Sequence, residues 1–172
     1  MNRYQLAKLV QWAGTLHSRK RLQKVAFLLQ AAGCPFDAEY TLHHYGPYSQ
    51  EVARLSDEMV QVGLLDESSK PNQVGVQYSY ALSENAASEM TQLQKTPQGK
   101  RLAKPLAPFE EKAKELLNTD LWLLEVASTM VYFRKQGHSW PNSVERTCRF
   151  KNLTTSTGVV TRAEGLAHQF VA

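Results

Sequence analysis

The chain has 172 residues, a 42% hydrophobic fraction and a net charge of +4, enough for one ordinary domain, or a small domain with an extension, around a packed core. No apolar run approaches the length of a membrane span, and Arg3 and Lys8 fall inside an amphipathic repeat instead of forming a secretory leader. Cys34 and Cys148 lie far apart with no metal-type spacing, which suits a reducing cytoplasm and argues against a disulfide scaffold.

In chain order, Leu6, Leu9, Val10 and Ala13 mark a first helix over 3–14. Ser18 is placed to cap a second helix, 19–32, with Leu22, Val25, Ala26 and Leu29 inward. Its start carries Arg19, Lys20, Arg21 and Lys24, cations that oppose the helix dipole there. Either they have a use, such as phosphate contact, or water screens them. Gly33-Cys34-Pro35 ends that helix, and an aromatic link follows, with Phe36, Tyr40, His43, His44 and Tyr45.

Gly46-Pro47 predicts the start of a third helix, with Ser49 an alternative cap two residues on. Val52, Leu55, Met59 and Val62 form its stripe, and Gly63 its stop. The outward residues Gln50, Glu51, Arg54, Asp57, Glu58 and Gln61 include three acids and one arginine, an unfavourable face for a phosphate-lined groove. A polar loop over 66–72 leads to a period-two strand from Val74 to Leu82 with one buried face. Paired with a short strand near 64–67, it makes a hairpin whose tip includes Lys70. Ser83 caps a fourth helix with Ala86, Ala87, Met90 and Leu93 inward.

Residues 94–108, with three prolines and four basic residues, read as a linker. Pro108 starts a helix to Leu117, and Leu121 to Phe133 is apolar nearly all round, hence a buried central helix with Glu125 as the exception. A buried carboxylate needs a partner or a proton, so an ion pair is expected there. A basic helix over 142–151 bears Arg146 and Arg149, and Thr161-Arg162-Ala163-Glu164 is a capping box for a short last helix. The expected fold is mainly α (α+β): a winged helix-turn-helix-like unit with a small β-hairpin over 1–93, a linker over 94–108, and an α-helical extension over 109–172 packed on the first unit. Residues 1–93 hold 8 basic and 9 acidic side chains, and residues 94–172 hold 12 and 7. The second half is therefore the basic one, which permits an acidic or nucleic-acid partner without demanding it.

The segments Arg21-Leu22-Gln23-Lys24-Val25-Ala26-Phe27-Leu28-Leu29, Tyr45-Gly46-Pro47-Tyr48-Ser49, Val62-Gly63-Leu64-Leu65 and Leu124-Glu125-Val126-Ala127-Ser128-Thr129 resemble the YwgA-like family of uncharacterised bacterial proteins, over roughly residues 18–135. More distantly the chain is similar to the Panacea/SocA-like domains of bacterial antitoxins, which implies a domain that binds another protein, with DNA contact in addition. That family resemblance transfers no activity and no functional residue.

No phosphate loop, nucleophile elbow or zinc-protease motif is present, and no cysteine pairs with a histidine, so no catalytic residue, metal ligand or cofactor is assigned and the chain is not expected to be an enzyme. His43 and His44 are adjacent and would point to opposite faces of a strand. Two uses remain. One is a nucleic-acid-binding regulator using Arg19, Lys20, Arg21, Lys24, Arg54 and Lys70. The other is a protein-interaction module, without DNA binding, whose partner meets His43, His44, Tyr45 and Tyr48.

Overall fold

Apolar spacing sets the first helices where the sequence places them. The computed structural model describes residues 1–72 and 75–171. Helix α1 (Arg3–Ala13) opens with a capping box, since Asn2 Oδ1 accepts from Gln5 N and Gln5 Oε1 from Asn2 N. Strand β1 (Leu16–His17) leads to α2 (Arg19–Ala31), whose Ser18 cap accepts from Lys20 N.

The third helix differs from expectation. Gly46-Pro47 does not start it but belongs to a strand. Strands β2 (Thr41–His43) and β3 (Gly46–Tyr48) pair antiparallel, and α3 (Gln50–Gln61) begins behind Ser49, whose Oγ accepts from Val52 N. The reason is local. A residue preceding proline is steered out of the helical region, and Gly46 sits at φ +102. Ser49 then has the extended backbone and side-chain acceptor of a true cap.

Strands β4 (Leu65–Asn72) and β5 (Gly75–Leu82) pair in register from Leu65 with Leu82 to Asn72 with Gly75. With β1 they form a sheet ordered β1-β5-β4. The polar stretch over 66–72 is thus a strand, not a loop, and Lys70 pairs with Gln77 inside it instead of standing at the hairpin tip. It tolerates polar residues because the hairpin runs out into solvent. The expected buried face survives only at the base, where Tyr80 is buried, while Val76 is 56% exposed. Val74, the expected first residue of that face, lies outside the described residues.

Helix α4 (Glu84–Lys95) follows its Ser83 cap. The stretch over 94–108 holds a helix, α5 (Pro97–Ala103), where a linker was expected. Thr96 Oγ1 accepts from Gly99 N at 3.0 Å and Pro97 occupies the first turn, a start signal hidden among basic residues. After a 3-10 turn at Ala107–Phe109 come α6 (Glu110–Asn118), α7 (Leu121–Lys135), α8 (Trp140–Lys151) and α9 (Gly158–Ala167). The Thr161–Glu164 capping box is interior to α9, which starts three residues earlier without a side-chain cap. Helix α7 packs against α2, β3, α8 and α9. It is buried from Leu124 to Val131, but Trp122 at its start is 41% exposed, so it is not covered all round.

Gly46 lies where β3 meets α7. A Cβ there would stand 2.6 Å from Thr129 Oγ1, in a backbone conformation that side chains resist. Gly33, also at positive φ, has open space around it. Gly46→Ala should therefore lower unfolding stability by about 2–4 kcal/mol, and Gly33→Ala by only about 1 kcal/mol. Urea unfolding checks this, and equal losses would show that the contact with Thr129 is not tight.

Candidate functional site

The N-terminal turns of α2, the β2–β3 hairpin and α3 enclose a cavity of about 400 Å³. Its walls include Lys20, Gln23 and Lys24 from α2, the aromatic cluster from His43 to Tyr48, and Ala53, Ser56 and Asp57 from α3. Two α2 side chains hold the hairpin in place. Gln23 is buried and doubly bonded to one residue: its Nε2 donates to Ser49 O at 3.0 Å and its Oε1 accepts from Ser49 N at 2.8 Å. Lys24 is 2% exposed, and its Nζ donates to Pro47 O at 2.8 Å. These bonds give partners to the Ser49 N–H and the Pro47 carbonyl, while Ser49 O also accepts from Ala53 N at 3.2 Å.

Behind the hairpin sits a charge cluster. Glu125 of α7 is buried, with Lys20 Nζ 3.7 Å from Oε1 and Lys151 Nζ of α8 3.3 Å from Oε2. The expected partner of Glu125 is thus two lysines. Lys20 also lies 3.2 Å from the centroid of the Tyr45 ring, and Lys151 5.4 Å from that of Trp122. Burial pulls the Lys24 ammonium down to a pKa of about 7, against the opposing pull of Glu125 and with help from Lys151 and Lys20. Burial also lowers Lys151, although Glu125 raises it.

The residues singled out for phosphate contact are largely engaged within the protein. Lys24 is enclosed, so no duplex backbone can reach it. Arg21 Nη1 donates to the carbonyls of Leu117, at 3.0 Å, and Thr119, satisfying the open C-terminus of α6. Arg19 donates to Tyr80 Oη at 2.6 Å and Glu67 at 2.9 Å, lies 3.7 Å from Asp57, and stacks over Tyr78. Arg54 and Lys70 are exposed and stand apart from this cluster, Arg54 beside Glu51 and Glu58. The four aromatic residues do converge: His43 and Tyr48 rings are 4.7 Å apart, His44 and Tyr45 5.0 Å.

Sequence reasoning missed Gln23, Thr129 and Lys151. One signal was available for the first. The run Val25-Ala26-Phe27-Leu28-Leu29 is too continuous for a one-sided helix, which implies that its polar neighbours are enclosed too. Lys151 carried no such mark. Cys34 is buried and its thiol pushed up to about 12 by that burial, the reverse of an activated nucleophile. Among the described residues no three histidine, cysteine or acidic side chains stand close enough to hold a metal ion, and no helix is long and apolar enough to cross a membrane.

Fold and site together define a mainly α (α+β) protein with a ligand-sized cavity lined by lysines and aromatic rings. Over 82 residues the chain is 33% identical to the uncharacterised protein YwgA of Bacillus subtilis (strain 168), a match that covers 48% of this chain and 49% of that protein. This likeness supports a YwgA-like relationship, and the match spans about half the length of the curated relative. No family model matches the chain.

The depressed Lys24 pKa makes stability depend on pH with a definite sign. Between about 7 and the ordinary lysine value of 10.5, the unfolded chain binds a proton that the folded chain does not. Stability should therefore rise with pH through this window, by at most about 1.4 kcal/mol per pH unit for this group. Urea midpoints measured from pH 7 to about 8.5 should climb for the native chain and climb less for Lys24→Met. Identical slopes would mean that Lys24 keeps its charge when folded.

Proposed function

We propose that this chain is a protein-interaction module that receives a segment of a partner at the cavity between α2, the β2–β3 hairpin and α3. The observation that carries this reading is the inward engagement of the α2 cations. Arg19, Arg21 and Lys24 are bonded to the protein itself, and what faces outward around them is an aromatic hairpin beside a cavity. Tyrosine and histidine rings offer contact area at low entropic cost, as binding surfaces require. The α3 face adds Glu51, Asp57 and Glu58, which disfavour a DNA groove. The more distant resemblance read from the sequence, to antitoxin domains that bind another protein, points the same way. The role is one of binding, and no catalytic step is assigned.

The order of helices and strands over 1–93 supports a winged-helix reading of that unit, with 109–172 as its helical extension. This scaffold hosts protein and DNA binders alike. A nucleic-acid regulator would have to use the projecting β4–β5 hairpin with Lys70 and the basic second half.

Selection of binders from a displayed random-peptide library, alongside a salt titration against random-sequence duplex DNA, separates the two. Selected peptides should lose about tenfold or more in affinity for Tyr45→Ala, and DNA should bind weakly at all salt concentrations. Low-micromolar duplex binding that falls steeply with salt and ignores Tyr45→Ala would reverse the assignment.

A further inference from the structure

Two ammonium groups pair with one buried carboxylate in this protein, and a third lies near it. Lys20 and Lys151 both approach Glu125, and Lys24 is close enough to feel it, yet Lys24 gives its hydrogen bond to the neutral Pro47 carbonyl. If all four groups carry their ordinary charges, two positive charges are left over; Lys20 is half-exposed, but on the enclosed Lys24 and Lys151 charge is costly unless something negative completes the set. The surplus is not distributed evenly. Lys151 and Lys24 are both enclosed, whereas Lys20 is half-exposed. Lys20 and Lys24 line the cavity.

We propose that the cavity seats an anionic group, a carboxylate or a phosphate on an aromatic or apolar stem, with the anion at Lys20 and Lys24 and the stem against Tyr45 and Tyr48. The proposal rests on the interaction-module reading, and names what the partner segment inserts.

The remaining walls fit this. Leu22, Gly46 and Ala53 supply apolar contact, and the rings of His43, His44, Tyr45 and Tyr48 line the same cavity, His43 tilted by 31° against Tyr48 and His44 edge-to-face with Tyr45. The acid on the α3 wall, Asp57, has Arg19 within 3.7 Å as counter-charge, so it opposes an anion weakly.

Anion seating also couples to protonation. The charged and titratable groups facing Lys24 are Lys20 from its own helix, Glu125 from α7 and Lys151 from α8. The cavity adds Arg19, Asp57, His43, His44, Tyr45 and Tyr48. With its pKa near 7, Lys24 is largely neutral in mildly alkaline solution, and an anion beside it favours the charged form. Binding should therefore draw a proton from the buffer, and affinity should rise as pH falls from about 8.5 towards 7.

The test is calorimetric titration of the full chain with phenylacetate, phenyl phosphate and neutral phenylacetamide, in two buffers of unlike ionisation enthalpy. At least one acid should bind with proton uptake, at least about tenfold tighter than the amide. The tighter acid shows whether a carboxyl group or a phosphorylated residue is the source. Lys24→Met should lose about tenfold or more. Should that variant fail to fold, Lys20→Gln, at a half-exposed position, should still weaken binding several-fold.

No binding of either acid at about 10 mM, an amide that binds as well as the acids, or a Lys20→Gln chain indistinguishable from the native one overturns the proposal. Selected peptides that depend on Tyr45 while the acids do nothing would sink this inference alone. Acids that bind while selected peptides ignore Tyr45→Ala would sink the interaction reading and keep the anion site.

Discussion

Two consecutive side chains of α2, Gln23 and Lys24, are buried, and both give their hydrogen bonds to the backbone over residues 47–49. The hairpin they hold is only three residues long on each strand, too short to be stable by itself. It exists because α2 supplies the partners that its own ladder cannot. Ser49, fixed at both N–H and carbonyl, then becomes the cap from which α3 starts. Gly46, three residues earlier, lies so close to Thr129 of α7 that a Cβ there would not fit. The placement of two helices and the shape of the cavity thus follow from one polar contact set, and a change at either α2 residue would leave buried backbone groups unpaired.

The electrostatics follow the same economy of position. The acids of α3 are not a solvated face alone: Asp57 and Glu58 reach back to Arg19 and Arg3, closing α3 onto α2 and α1. Exposed pairs of this kind contribute little energy, but they settle where the charge points. Cations that a sequence reader sees clustered at a helix start are dispersed by the fold in different directions, towards β4, α6, β3 and α7. The local field at the cavity is therefore set by Lys20 and Lys24 with their shared acid, and much less by the net charge of the chain.

Periodicity made the long elements legible. Helices α1, α2, α4 and α7 and the strand β5 lie close to where spacing and caps predict them, and the isolation of Glu125 on an apolar helix marked it correctly as a paired group. The β2–β3 hairpin was not legible, because three-residue strands carry no period, and a Gly-Pro step suits a helix start as well as an extended turn. Residues 97–103 were hidden because a short, exposed helix needs only a cap, and Thr96 was masked by the surrounding prolines and lysines. Direction was the larger loss. Composition shows that α2 is basic, but which way Arg21 or Lys20 points depends on helices a hundred residues further along, to which local pattern is blind.

Arg21 has a consequence in time. Its guanidinium closes the end of α6 through carbonyls 96 and 98 residues downstream, contacts that form late because a long loop must first be ordered. At a synthesis rate of roughly 5–20 residues per second, that partner is made roughly 5–20 seconds after Arg21 itself. Throughout that interval Arg21 and Lys20 of α2 have water in place of their partners in the folded chain, the α6 carbonyls and Glu125. The end of α6 is therefore closed only once its own residues have been made, by a side chain from a helix near the beginning of the chain.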